Sequence, residues 1–366
     1  MARTTTKKPG RAAARGRRIA VTGATGNIGL TLVSALADDP AVDEVVGIAR
    51  RRPFLEIDGV RWVSADVAGD DLVPLFDGVD AVVHLAWLLQ PSSDPALLWR
   101  VNVEGSQRVF RAAAAAGAGA LVHASSVGAY APGRRRGPVD ESWPTTGVAS
   151  STYSRHKAYV ERVLDGFSAA SPEVRVVRLR PGLALQRAAA TEIRRMFFGP
   201  LLPSLALDRR LLVFFPRLRG LRFQAVHSAD LAEAFRLAVL GEAEGAFNIA
   251  AEPVLGTDEL ALVFGARAVP TLRAPLRALA ALTWRLGLQP TEPGWLDLLL
   301  SLPVMDLSRA RDELGWQATT SADDALAELL DGIRDGATHG TPPLQGTPFS
   351  SASRGASNQQ ARVPLN

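Results

Sequence analysis

Arg18-Ile-Ala-Val-Thr22-Gly-Ala-Thr-Gly-Asn-Ile-Gly29 decides the fold of this chain. A short run with β-branched Ile19 and Val21 reads as a strand buried on both faces. Glycines at 23, 26 and 29 follow, and a helical pattern from Asn27 to Asp38 comes next. A chain that must turn sharply after a strand needs residues without a Cβ. The same absence lets a phosphate approach backbone N–H groups at the start of the helix, where the helix dipole favours negative charge. Strand, glycine turn and helix in this order predict a dinucleotide pyrophosphate held by Gly23, Thr25, Gly26, Asn27, Ile28 and Gly29.

The pattern repeats outward from this unit. Strand-like runs recur at Glu44–Ala49, Val60–Ala65, Asp80–Ala86, Ala120–Ser125 and Val174–Leu179, with helical patterns at Pro95–Ala116 and Ser151–Phe167. Alternating β and α predicts a doubly wound α/β fold with a parallel sheet, the Rossmann fold. The expected organisation is a disordered basic arm over 1–17, a dinucleotide-binding core over 18–182 and a smaller substrate lobe over 183–336. Some elements of the lobe return to the core, and 337–366 form a disordered tail rich in Gly, Ser, Thr, Pro and Gln. In the lobe, helices are expected near Thr191–Phe198, Ala229–Leu240 and Asp323–Arg334, with a strand at Ala246–Ala250. Two apolar runs, Met196–Pro203 and Leu211–Phe215, stand among many arginines.

Composition narrows the function. The 366 residues are 47% hydrophobic and 21% charged, with no cysteine, which excludes a disulfide scaffold and a wholly disordered chain. The formal charge of +4 is misleading, because residues 1–18 carry seven cations and no acid. All 37 acids lie in the body, 19–336, which is therefore net negative. A basic fold gripping nucleic acid is disfavoured. No apolar stretch has the length of a membrane span; the longest, Leu286–Met305, is broken by prolines and acids. A cytoplasmic location and a small-molecule substrate are expected. His84 and His123 read as packed residues on buried strands, and no spacing resembles a metal site.

Of the 41 Lys plus Arg residues, only Lys7, Lys8 and Lys157 are lysine, and the only tyrosines are Tyr130, Tyr153 and Tyr159. The sole lysine of the body thus stands four residues after a tyrosine, and i,i+4 spacing puts both on one helix face. A free phenol titrates near ~10, and a nearby cation lowers that value, making tyrosine a usable proton carrier. Ser126, after the fifth strand, can bond a substrate oxygen. Asn102, after the fourth, can anchor a water or backbone relay to the lysine. Together the four could move a proton while hydride leaves or joins a carbon. At the end of the second strand, where NAD sites carry an acid, stand Arg50, Arg51 and Arg52. Arginine can pair with a 2′-phosphate, so the cofactor is read as NAD(P), with NADP(H) favoured from Arg50. In a chain so biased toward arginine, Arg50 is less diagnostic than it would be elsewhere. Asp66 suits a bond to the adenine amino group, and Trp87 is placed at the border of the site.

These motifs resemble those of the extended short-chain dehydrogenase/reductases, in the NAD-dependent epimerase/dehydratase family, with UDP-glucose 4-epimerase-like proteins as the nearest subgroup. The matching residues are Thr22–Gly29, Asp66-Val67, His84-Leu-Ala86, Asn102-Val-Glu-Gly105, Ala124–Tyr130, Tyr153–Lys157 and Arg180-Pro-Gly182. Val226–Asp230, Phe247-Asn-Ile249 and Ser308–Trp316 match later in the chain. The resemblance implies a tetrad of Asn102, Ser126, Tyr153 and Lys157 with Tyr153 as acid/base. It also implies a cofactor cleft that takes in Val67, Leu85, Ala86, Ser125, Pro181 and Gly182, and a homodimer through the helices near 95–116 and 151–167. Three readings stay open. One is an epimerase/dehydratase-type oxidoreductase acting on an alcohol or carbonyl carbon, as in a nucleotide sugar. Another is an NADPH-dependent reductase of an apolar carbonyl or hydroxysteroid-like compound. The third is a non-catalytic NAD(P)-sensing protein.

Overall fold

A computed structural model describes residues 16–89, 93–133, 137–198, 214–338, 341 and 344. Its strands are β1 (Arg17–Thr22), β2 (Val42–Ala49), β3 (Val60–Ser64), β4 (Ala81–His84), β5 (Ala120–Ala124) and β6 (Arg175–Pro181). They continue as β7 (Leu183–Leu185), β8 (Phe214–Leu218), β9 (Arg222–Phe223), β10 (Ala225–His227), β11 (Gly245–Ile249), β12 (Leu255–Gly256) and β13 (Arg267–Thr271). The helices are α1 (Asn27–Ala37), α2 (Pro95–Trp99), α3 (Gly105–Ala115), α4 (Thr152–Ala170), α5 (Ala190–Phe198) and α6 (Ser228–Leu240). After them come α7 (Thr257–Phe264), α8 (Arg273–Arg285), α9 (Gly294–Leu299), α10 (Ser308–Asp312) and α11 (Ala322–Arg334).

The main sheet has seven parallel strands in the order β11-β6-β5-β4-β1-β2-β3. Ile19, Ala20 and Val21 are wholly buried, as a central strand covered on both faces requires. On one face α1 and α6 pack Leu32, Val33, Leu36, Leu231 and Phe235 onto the sheet. On the other, α3 and α4 contribute Val109, Phe110, Val160 and Leu164. Each such side chain contributes roughly 1.5–3 kcal/mol by leaving water. The strand order reverses between β1 and β4, and a crevice opens at their C-terminal ends, the usual ligand position in such sheets.

The lobe follows β6 and pairs its own short strands: β7 with β10, β8 with β13, β9 with β12. β11 then leaves it to complete the main sheet beside β6. α11 closes the lobe's core with Leu326, Leu329, Leu330 and Ile333. Of the expected apolar runs, residues 199–213 lie outside the described ones, as do 1–15 and most of 339–366. In the stretch expected as a tail, Thr341 and Leu344 are buried. The Thr341 hydroxyl donates to the carbonyl of Thr25 (3.0 Å), and that of Thr191 donates to Ala337 (2.7 Å).

The helix expected over Pro95–Ala116 is interrupted. Arg100–Glu104 form a π-helical turn between α2 and α3. Such a turn inserts one residue into the helical repeat and re-aims the side chains it carries. Here it carries Asn102.

Candidate active site

The glycine turn is built by exclusion. Gly23 has φ of +74°, and a Cβ there would come within 2.7 Å of the Ala86 nitrogen. A Cβ on Gly29 would meet the Gly23 carbonyl at 2.2 Å. Gly26 differs: its nearest neighbour would be 3.4 Å away, so it keeps open space beside the start of α1. It is also the N-cap of α1 and supplies no side-chain bond, so no side chain at the cap competes for the first-turn N–H groups. Open N–H groups, a missing Cβ and a helix N-terminus fit a dinucleotide pyrophosphate. Asn27 instead faces the lobe, donating to Ala184 (3.1 Å) and accepting from Gln186 (2.6 Å). Gly29→Ala should cost roughly 1–3 kcal/mol by overpacking and reduce cofactor binding. A denaturant midpoint and a titration with NAD and NADP would check it; unchanged values would sink this account of the turn.

Arg50 is exposed at the end of β2. Asp66 accepts from the Ala68 amide (2.9 Å), shaping the turn after β3, and Val67 is buried against Gly105. At the end of β6, a Cβ on Gly182 would meet the Gln224 carbonyl at 2.4 Å, so this glycine, next to Pro181, permits the close entry of the lobe.

Asn102 clamps the segment after β4. Its amide oxygen accepts from Leu88 N (2.7 Å) and its amide nitrogen donates to Leu88 O (2.8 Å). That fixes the stretch containing Leu85, Ala86 and Trp87 beside the glycine turn. The expected relay partner of the lysine is thus a backbone clamp. Behind it, Ser106 donates to the Asn102 carbonyl (2.6 Å), so its single proton is spent. His84 must therefore donate to Ser106 from Nε2 (2.9 Å) and accept from Thr22 at Nδ1 (2.7 Å). Burial lowers the imidazole to about 3, so it stays neutral and ties β1, β4 and the π turn together. Among the described residues no group of three His, Cys, Asp or Glu could hold a metal.

Tyr153 lies in the first turn of α4, and its ring and the Ser126 hydroxyl both stand beside Gly128. Burial pushes the Tyr153 phenol up to about 12, while Ser126 acts to lower it. Ser126 also accepts from Gly128 N (2.9 Å), so it caps its own turn while facing the phenol. The Lys157 ammonium is 4% exposed, donates to the Ala124 carbonyl (2.7 Å) and lies 3.4 Å over the Trp87 ring. It is 5.9 Å from the centre of the Tyr153 ring. Burial lowers it to about 7, with Glu161 acting to raise it. The structure therefore brings Ser126, Tyr153 and Lys157 together, but the ammonium rests on Trp87 and a carbonyl, not on the phenol. Ser125 points away from the cleft, donating to Glu161 (2.5 Å).

Several residues here escaped the sequence reading. Trp295 of α9 stacks on Tyr153 with ring centres 4.8 Å apart, and Phe197 meets Trp295 edge-on at 5.1 Å. Glu292 accepts from the backbone and hydroxyl of Thr152 (2.8 and 3.1 Å) at the start of α4. A Cβ on Gly294 would collide with the Ser150 carbonyl at 2.2 Å, so that residue must be glycine for α9 to dock. Beneath the site, Glu161 and Arg180, both buried, pair at 2.8 and 2.9 Å, and Arg180 also donates to the Tyr130 hydroxyl. Trp87, Leu88, Leu89, Leu98, Asn102, Tyr153, His156 and Trp295 line a cleft whose free volume of about 10 Å³ holds roughly one water. The Trp87 indole N–H and His156 Nδ1 are buried there without a hydrogen-bond partner among the described residues.

A family model described as the NAD dependent epimerase/dehydratase family matches residues 19–250. An uncharacterized protein of Mycobacterium tuberculosis is 28% identical over 320 residues, 87% of this chain. The chain spans only 30% of that relative's length. L-arabinose 1-dehydrogenase (NAD(P)(+)) of Haloferax volcanii is 42% identical over 110 residues, 30% of this chain and 41% of that protein. Among solved structures, the UDP-glucose 4-epimerase of Thermus thermophilus in complex with NAD superposes with a TM-score of 0.63 at 21% identity. That match covers 87% of this chain and 99% of the epimerase, a likeness of fold.

Proposed function

Because the chain belongs to the NAD-dependent epimerase/dehydratase family, we propose that it is an NAD(P)-dependent oxidoreductase acting at an alcohol or carbonyl carbon. The observation that carries this reading is the meeting of Tyr153 and Ser126 beside Gly128, past the C-terminal end of β5, with the buried Lys157 ammonium one helical turn away. The nicotinamide cofactor supplies the hydride acceptor or donor when bound. The glycine turn, the start of α1 and the Leu85–Ala86 segment would hold it.

The rest is the work of this chain. Ser126 orients the substrate oxygen, and Tyr153 gives or takes its proton. A phenol at about 12 stays protonated at neutral pH and offers almost no phenolate, so it needs a cation beside it to act as a base. Lys157, poised at about 7, can carry that charge near neutrality. A protein that only senses NAD(P) would have no use for this pair.

The wall over Tyr153 favours an apolar ring compound over a nucleotide sugar. Trp87, Leu88, Leu89, Leu98 and Trp295 face the cleft with Asn102, Thr152, His156 and Glu292 among them, and among the described residues no Arg or Lys lines it to meet a diphosphate. The nucleotide-sugar reading draws on the fold shared with the Thermus epimerase. Assaying ketones and hydroxysteroids against UDP-sugars, with each cofactor, separates the two. Turnover of UDP-sugars alone would overturn the apolar reading, and no nicotinamide turnover with either set would overturn the oxidoreductase reading.

Arg50 supports a preference for NADP(H). Arg50→Ala should reduce kcat/KM for the phosphorylated cofactor by roughly tenfold, the loss of one charge-assisted contact, and leave NAD unchanged. Equal losses with both cofactors, or none, would remove the role given to this residue.

A further inference from the structure

The helix α8 is mounted the wrong way round for a soluble surface. Arg273 and Arg277 pair with the buried carboxylate of Asp297 at 2.9 and 3.0 Å, and their side chains remain about half exposed (53 and 45%). Leu276 joins the lobe's core. The outward stripe is Leu279, Leu282 and Leu286, preceded by Leu272, with exposures of 58, 55, 62 and 77%. Their spacing of three, four and seven puts them on one face. No residue of the helix is buried. A surface helix normally presents the opposite arrangement, charges outward and leucines inward.

The charges say what kind of partner fits. Residues 260–291 contain four arginines, at 267, 273, 277 and 285, and no acid. Arg285 is exposed and lies beside the leucine stripe. Two of these arginines, Arg273 and Arg277, are already paired with Asp297; a second copy of the chain, meeting face to face, would bring the exposed Arg285 to a helix that has no acid to receive it. An anionic lipid surface satisfies both features, since the leucines enter the acyl boundary while arginine meets the headgroup phosphates. At 13 residues the helix is about 20 Å long, too short to cross a bilayer but long enough to lie in its surface.

We infer that α8 docks the substrate lobe onto an anionic membrane surface. Asp297, which α8 grips, belongs to the same α9 that sets Trp295 over Tyr153, so the docked face and the cleft share one support.

The test is flotation of the full-length chain with vesicles of phosphatidylcholine and phosphatidylglycerol, and with phosphatidylcholine alone. The expected result is binding to the anionic vesicles, reduced at least roughly tenfold in the L279D/L282D/L286D variant. That variant should keep the melting temperature and oligomeric state of the parent. Arg285→Gln should weaken binding less and reduce its dependence on anionic lipid. The basic N-terminal arm is common to all variants, so any binding it contributes cancels in the comparison. Absence of flotation, or equal flotation of parent and triple variant, overturns the inference. A triple variant that turns a dimer into a monomer without changing flotation assigns the stripe to a second copy. One that melts at a markedly lower temperature assigns it to the chain's own packing. Both also overturn the inference.

Discussion

Tyr153→Phe should lose roughly 10²–10⁴-fold in turnover while still binding cofactor. The substitution removes one oxygen and leaves the ring between Trp87 and Trp295, so the aromatic stack and the fold should persist. What disappears is the proton carrier beside Ser126. Steady-state rates with the best substrate, together with a cofactor titration followed by tryptophan fluorescence, would measure both sides. If turnover survives intact, the proton moves through another group and the assignment of Tyr153 is wrong. If cofactor affinity falls as far as turnover, the tyrosine is holding the dinucleotide and not the proton.

Glu161→Ala should be the most damaging substitution for stability. Glu161 is 1% exposed and holds two of the three Arg180 guanidinium nitrogens and the Ser125 hydroxyl. Removing it strands a buried guanidinium and leaves a cavity under the site. Breaking one partner of a buried pair costs roughly 3–5 kcal/mol. Desolvation opposes ionisation of Glu161, but bonds from Arg180 outweigh it and hold the carboxyl below its ordinary 4.5. Its folded value is the lower one, so its contribution is complete above about 4.5 and fades as pH falls through the folded value. The urea midpoint of the parent should therefore drop on acidification by more than that of the variant. Identical acid sensitivity of the two proteins would show that Glu161 is not the group responsible.

The sequence carried the parallel sheet and the glycine turn because both are local. Ile19–Val21 are apolar without alternation, and Gly23 and Gly29 mark places where a Cβ collides with backbone only a few residues or one strand away. Tyr153 and Lys157 were legible for another reason, the scarcity of both residue types. The lobe was less legible. Trp295 and Glu292 lie about 140 residues from the helix they touch, and nothing in the local pattern of 286–305 signals that contact. Glu161 could have been found, since it stands one turn beyond Lys157 on the same helix. Its partner Arg180 stood in the matched Arg180-Pro-Gly182 stretch, but nothing local to either residue pairs the two. The π turn was invisible because Pro95–Ala116 reads as unbroken helix, and the contact its Asn102 makes, with Leu88, is tertiary.

The carboxylate that receives the first amide of α4 comes from the far lobe, through Glu292. This makes the lobe a poor candidate for exchange as a cartridge. A chimera that keeps residues 18–182 and grafts on a foreign lobe would leave the opening turn of α4 without this acceptor, unless the graft brings an acid to the same spot. Breadth of substrate in descendants of this chain would then have to come from changes within the lobe, with Glu292 retained, and less from wholesale replacement.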